Sequence, residues 1–354
     1  MNDLSKIGFD PFFERQLETE HAIVARISSE HRGLYHIWSA AGDGAAKLGG
    51  RLSKQCLGEA YPGVGDFVVL DAMPSPNRPA RIEQVLDRRT VFVRGAAGKR
   101  TQGQVVAANV DVVFIVCGLD NDYNPRRIER YLARVYASGA MPVVVLNKVD
   151  ICDAAKERLA EVQGANIGLE VIAISATEHL GLEEIRGFVQ PGMTAALVGS
   201  SGAGKSTIVN GLMGDRRMDT KPVRRRDDRG CHTTTHRQML KLSDGGILID
   251  TPGMRELQLI DDEGIDTVFS DIEALSENCR FRDCSHQSEP GCAVKAALDS
   301  GELAEERLMN YRKMQQEAAA YELRHNAQER KKAAREWGQL YSEGKRIRRW
   351  KEGG

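Results

Sequence analysis

The sequence predicts a multidomain chain of three folding units: a small all-β barrel, a doubly wound α/β domain, and a small C-terminal unit built on cysteine and histidine with a helical tail. Three observations predict it. From Glu20 to Arg94, short segments of alternating polarity are separated by Gly-, Pro- and Asp-rich turns. From Val105 to about Asp262, apolar strands alternate with amphipathic helical stretches. Beyond Ile265, three cysteines and a histidine crowd together ahead of a long charged segment. A chain of 354 residues suits two or three such units.

In chain order, residues 1–20 read as a short amphipathic lead. The barrel is expected at 21–95, its strands in "HAIVARISS", "LYHIWSA", "DFVVLDA" and "ARIEQVL". "RGAAGKRTQGQ" reads as a polar linker. The α/β unit, 105–262, carries strands in "VDVVFIVCG", "PVVVLNK", "EVIAIS" and "TAALVGS", with helices in "RIERYLARVYAS", "AKERLAEVQGA", "LEEIRGFV" and "KSTIVNGLMG". Residues 265–354 form the last unit. With 49 basic and 50 acidic residues the net charge is −1, which excludes an overall polycation but not local basic patches. The apolar runs are strand-sized and the N-terminus lacks a signal-peptide core, so a cytoplasmic protein with no membrane partner is expected, as a monomer.

"GSSGAGKST" is the most specific motif. Gly199, Gly202 and Gly204 let the backbone turn tightly, so that amides of Gly199, Ser200, Ser201, Gly202, Ala203 and Gly204 point at phosphates. Lys205 is expected to reach the β and γ phosphates as a catalytic residue, Ser206 to bind Mg²⁺, and Thr207 to complete the GTP-binding set. "ILIDTPGM" places Asp250 at a strand end, where its carboxylate can hold Mg²⁺ through water, and Gly253 where its amide can sense the γ-phosphate. Alone, Asp-Thr-Pro-Gly is also an ordinary turn.

"NKVD" identifies the base. An Asp150 carboxylate accepts from guanine N1–H and the exocyclic amine, a pairing adenine does not offer. Asn147 belongs to the same loop, and Lys148 can lie over the ring. Ser175 and Ala176 in "ISAT" would offer backbone to the guanine carbonyl. Here the base-reading half precedes the phosphate half. A site strung along the carboxyl ends of strands survives such a cut and rejoining, so the domain is read as circularly permuted.

Cys279, Cys284, His286 and Cys292 have the spacing Cys-x₄-Cys-x-His-x₅-Cys. Three thiolates and one imidazole make a closed tetrahedral set suited to one structural Zn²⁺. Buried or free thiols are the plainer alternative. Cys56, Cys117 and Cys152 read as packing residues.

Taken together, "QVVAANVD", "NKVD", "GSSGAGKST", "GCHTTT", "DTPGM" and the Cys/His cluster resemble the RsgA (YjeQ) family of permuted bacterial GTPases, over almost the whole chain. The resemblance implies an N-terminal OB-fold, a permuted P-loop GTPase and a zinc domain. It further implies a late assembly factor that binds the small (30S) ribosomal subunit and its rRNA, hydrolyses GTP to GDP under stimulation by that subunit, and then leaves. Within "RRRDDRGCHTTTHRQ" it points to Thr234, ahead of Thr233 or Thr235, as the Mg²⁺-binding switch threonine. Met254 stands where a water-placing glutamine would follow Asp-x-x-Gly, and the resemblance points instead to His232 as the catalytic residue. A solvated loop histidine is the alternative. Cys231 departs from the polar or basic residue more usual before it.

RNA contacts are expected from the barrel, at Arg26, Arg32, Arg51 and Lys54, and from the tail. Tyr321 to Gly354 holds ten Lys or Arg against five Glu, with Trp350 as a stacking surface among cations. Two further readings stay open: a GTPase with another client, such as the large subunit or a protein to which it delivers metal, and a binding module that does not turn nucleotide over.

Overall fold

The computed structural model describes residues 4–31, 33–55, 60–75, 78–94, 104–166, 168–214, 237–250, 264–287 and 289–320. In chain order the elements are α1 (Pro11–Glu14), β1 (Ile23–His31), β2 (Leu34–Ser39), β3 (Gly42–Leu48), α2 (Gly50–Gln55), β4 (Phe67–Leu70), β5 (Ala80–Val85), β6 (Val91–Arg94), β7 (Gln104–Ala108) and β8 (Val112–Gly118). There follow α3 (Pro125–Ala137), β9 (Met141–Asn147), α4 (Ala155–Ala165), β10 (Glu170–Ile174), α5 (Leu182–Gly187), β11 (Thr194–Val198), α6 (Lys205–Met213), β12 (Gln238–Lys241) and β13 (Ile247–Asp250). The last helices are α7 (Ile265–Val268), α8 (Ser270–Ser276), α9 (Ala293–Ser300) and α10 (305–320).

The first five strands close on themselves in the order β1-β2-β3-β5-β4-β1, with β3 and β5 parallel and the other pairs antiparallel. Inward residues Ala25, Ile27, Ile37, Val68 and Ile82 fill the barrel. Arg26 points the other way, and it is no RNA contact. It is 1% exposed, donates to the carbonyls of Ile7 (2.7 Å), Asn109 (2.8 Å) and Gly65 (3.1 Å), and lies over the Phe67 ring. Burial lowers its pKa to about 10. The reason is the N-terminal lead: Phe9 and Phe13 pack on Phe67, so residues 4–17 cover this outer face of the barrel. Of the other barrel candidates, Arg51 is exposed on α2, while Arg32 and the Lys54 side chain lie outside the described residues.

The two ends of the expected linker are hydrogen-bonded strands, since Arg94 pairs with Gln104 in the β6–β7 ladder. The α/β sheet runs β10-β9-β8-β11-β13-β12, parallel except for β12. Strand β8 is buried along its whole length, as a central parallel strand covered on both faces must be. Val113, Ile115 and Cys117 face the side of α3; Val112, Phe114 and Val116 face the side of α5 and α6. The carboxyl ends of β8, β9, β10, β11 and β13 share one edge. Every described motif of the candidate site hangs there.

The C-terminal helices join the first of these apolar layers, through Phe269, Ile272, Val294, Tyr311 and Met314. Among the described residues no helix is long and apolar enough to cross a membrane.

Candidate nucleotide site and metal centre

The loop between β11 and α6 must lie close to two other elements. Gly199 has φ +139°, and a Cβ there would stand 2.1 Å from the Val116 carbonyl oxygen of β8. Gly204 has φ +102°, and its Cβ would stand 2.1 Å from the Asn147 amide nitrogen. Only glycine serves at either position. The loop then leads into the amino end of α6, where amides with no helical partner and the positive end of the helix dipole favour an anion. Lys205 opens that helix, and its ammonium donates to the carbonyls of Gly199 (2.7 Å) and Ser200. Ser206 and Thr207 are half-buried in the same turn; Ser201 and Gly202 are exposed, and Ala203 is buried.

Asn147 joins the two halves of the site. Its Nδ2 donates to Ala203 O (2.8 Å), and its Oδ1 accepts from the Ala176 amide (3.0 Å). It is 2% exposed at the end of β9, and the strand's register beside β10 brings Ile174 opposite it, so the Ser175–Ala176 turn follows within reach. The Ser175 amide bonds to Leu180 O (3.1 Å), and its hydroxyl receives the Glu178 amide. Both amides expected to meet the base are thus engaged inside the protein. Lys148 is held left-handed at φ +74°, and Asp150 is exposed in the single helical turn Val149–Ile151.

Two carboxylates after β8 were not singled out by motif. Asp120 accepts from the Lys148 ammonium at 2.5 Å, and Asp122 accepts from Arg127 at 2.5 Å and from the Ser200 hydroxyl of the phosphate loop. Burial opposes ionisation of Asp120, but the bond from Lys148, its positive charge and the Asp122 amide together outweigh it and hold the carboxyl below its ordinary value. Gly118 leaves room for this pair, because a Cβ there would meet Asp120 at 2.9 Å. The signal was present in "GLDND", polar residues directly after a buried strand at the functional edge of the sheet. His232, Thr233, Thr234, Thr235, Cys231, Gly253, Met254 and the Asp250 side chain lie outside the described residues, as does the tail from Tyr321 with Trp350. The backbone of Asp250 ends β13, next to β11.

The four predicted metal ligands converge. The Sγ and imidazole nitrogen atoms of Cys279, Cys284, His286 and Cys292 lie within 4.8 Å of one another. Cys279 Sγ is 3.6 Å from His286 Nδ1 and 3.9 Å from Cys292 Sγ, and Cys292 Sγ is 3.5 Å from the same nitrogen. A tetrahedral ion with metal–sulfur bonds of about 2.3 Å has sulfur–sulfur edges of about 3.8 Å. The donor set therefore fits a four-coordinate metal. Partial burial and the neighbouring Cys292 and Cys279 thiols push Cys284 up to about 11, and a bound cation would offset the charge of three thiolates in this space. Glu289 fixes the ligand loop by accepting from the Ser285 amide and hydroxyl and the Gln287 amide, which takes its pKa down to about 2. His286 itself sits left-handed at φ +57°.

Helix α10 fastens this centre to the α/β domain. Arg307 reaches Glu129 of α3 at 2.7 Å and both oxygens of Asp271 at 2.7 Å; Asn310 also donates to Glu129; Arg312 donates to the His286 carbonyl.

Comparison with known proteins agrees with this geometry. Residues 85–260 match the family model for the RsgA GTPase. The chain is 43% identical over 364 residues to the small ribosomal subunit biogenesis GTPase RsgA of Opitutus terrae, covering 99% of each chain. It is 51% identical to the protein of that name from Xanthomonas axonopodis pv. citri, over 73% of this chain and 69% of that one. Among solved structures, YjeQ from Thermotoga maritima superposes with a TM-score of 0.62 at 27% identity, over 84% of this chain and 99% of that one. YloQ, described as a circularly permuted GTPase, shares the fold with a TM-score of 0.60 at 24% identity, over 86% and 97%. The phosphate loop downstream of its base-reading loop, the barrel before it and the Cys/His centre after it are accounted for together: the chain belongs to the RsgA family of circularly permuted GTPases.

Proposed function

We propose that this protein binds GTP, hydrolyses it to GDP and phosphate on the small ribosomal subunit during late maturation of that subunit, and leaves on hydrolysis. The observation that supports the reading is the Asn147 bridge, which joins the Gly199–Thr207 loop at Ala203 to the Ser175–Ala176 turn despite their order in the chain. The partner follows from the relatives, which are named for small-subunit biogenesis. The units act at 21–95 and beyond 265 as RNA-facing parts around the 105–262 GTPase, in a cytoplasmic monomer.

In this account Asp150 accepts from guanine N1–H and the exocyclic amine, Lys148 lies over the ring, and Asn147 holds the base-side turn. The Ser175–Ala176 turn meets the guanine carbonyl once the Ala176 amide exchanges its bond to Asn147. Amides of Gly199 to Gly204 cradle the phosphates with Thr207 behind them, and Lys205 exchanges two loop carbonyls for phosphate oxygens. Ser206, Asp250 and Thr234 would hold Mg²⁺, which when bound neutralises charge on the β and γ phosphates. Gly253 senses the γ-phosphate, and His232 orients or deprotonates the attacking water. Cys279, Cys284, His286 and Cys292 hold one structural Zn²⁺.

Co-sedimentation tests the partner. Full-length protein with a non-hydrolysable GTP analogue should pellet with purified small subunits and not large ones, and GDP should release it. Equal binding to both subunits would favour another client.

A further inference from the structure

Between the amino end of α3 and the exposed side of α10 runs a groove of about 760 Å³ lined by Arg126, Arg127, Arg130, Arg312 and Lys313, with Asn124 at the helix start. Five of its lining residues are cations and none is acidic. Nearby carboxylates are already engaged: Glu317 by Arg130, and Asp122 by Arg127. Arg126 and Lys313 are exposed and make no ion pair among the described residues, and Nε of Arg312 is buried with no hydrogen-bond partner there. Asn124 caps α3 by accepting from the Arg127 amide at 3.2 Å, so the positive end of a 13-residue helix opens beside the cations.

We propose that this groove docks the sugar-phosphate backbone of RNA. Guanidinium groups match phosphate oxygens two at a time, and a row of them beside a helix amino end binds backbone without reading sequence. The walls belong to different units, one to the α/β domain and one to the helix that fastens the metal centre to it, so an RNA strand seated there clamps both. It also touches the nucleotide site. Arg127 holds Asp122, and Asp122 accepts from the Ser200 hydroxyl of the phosphate loop, so drawing Arg127 toward phosphate loosens a contact of that loop.

The location on ribosomal RNA rests on the function proposed above; the chemistry of the groove does not. The test compares zinc-loaded full-length protein with its R126Q/K313Q variant, both changes being on the surface and outside the nucleotide site. Affinity is measured for purified small subunits and for a protein-free labelled RNA hairpin, across a salt series. The groove predicts that both affinities fall about tenfold and that the salt slope falls by about 2. Basal GTP turnover should stay unchanged, while stimulation at sub-saturating subunit falls in proportion. Unchanged affinity and slope for both probes would overturn the proposal, as would a wild-type protein that binds neither. Loss for subunits with full retention for the hairpin would mean that the groove receives an acidic protein surface. Groove-dependent binding of the hairpin without any binding to small subunits would keep the groove and remove the subunit assignment.

Discussion

The side-chain amide of Asn147 donates to the carbonyl of Ala203 at 2.8 Å, joining residues 56 positions apart, while its oxygen takes the Ala176 amide. All three residues are buried, so neither partner of Asn147 has water as a substitute. Asn147→Ala leaves one carbonyl and one amide unpaired, at about 1–3 kcal/mol each. Urea denaturation should show that loss, and titration with a fluorescent GTP analogue should show weakened binding. Unchanged stability and affinity together would mean that the bridge has no energetic role.

His232 is predicted to act on the chemical step alone. General acid–base groups contribute about 10²–10⁴ in rate, so His232→Ala should lower subunit-stimulated kcat by a factor in that range with GTP affinity unchanged. A wild-type stimulated rate would remove the assignment.

The metal centre predicts folding linked to metal. A closed Cys₃His set leaves no open position for catalysis, and its binding energy is folding energy for the small unit around it. Elemental analysis of purified protein should find about one zinc per chain. Chelation, or Cys292→Ser, should expose residues 264–320 to protease while the α/β domain stays folded. Folded protein without zinc would contradict this.

The Glu129–Arg307 pair predicts an asymmetry. Burial pushes Glu129 above its ordinary value, against the opposing charge of Arg307. Arg307→Ala leaves the buried Glu129 carboxylate without its cation, held by Asn310 alone, and should cost about 3–5 kcal/mol. Glu129→Gln removes the buried charge and should cost far less. The pH dependence has a fixed sign. The unfolded chain loses this proton near 4.5, before the folded chain does, so over that interval the folded state binds more protons and stability contributed at this site falls as pH rises. Thermal melts of wild type minus Glu129→Gln should therefore show a difference that shrinks from acid toward neutral pH.

Much of the architecture was legible because its signals are local. Buried parallel strands such as Val112–Gly118 read as unbroken apolar runs, and the phosphate loop reads as glycines required by close approach to β8 and Asn147. The strand β3, "GDGAAKL", was not legible: it has no apolar alternation, and Gly44 is small because Pro74 would meet its Cβ at 2.5 Å. Arg26 misled for a different reason. Its alternation correctly turns it away from the barrel interior, but only tertiary packing reveals that Phe9, Phe13 and Phe67 cover that outer face. Asp120, Asp122 and Glu289 act through partners distant in sequence or across a short loop, and no spacing rule marks them.

The central claim is that one permuted site turns GTP over on the small subunit. Steady-state hydrolysis of GTP, with ATP as control, by zinc-loaded protein alone and with purified small or large subunits tests it most directly. The account predicts slow GTP turnover alone, strong stimulation by small subunits only, and no comparable ATP turnover. Equal slow rates in every mixture, or equal use of ATP, would contradict it.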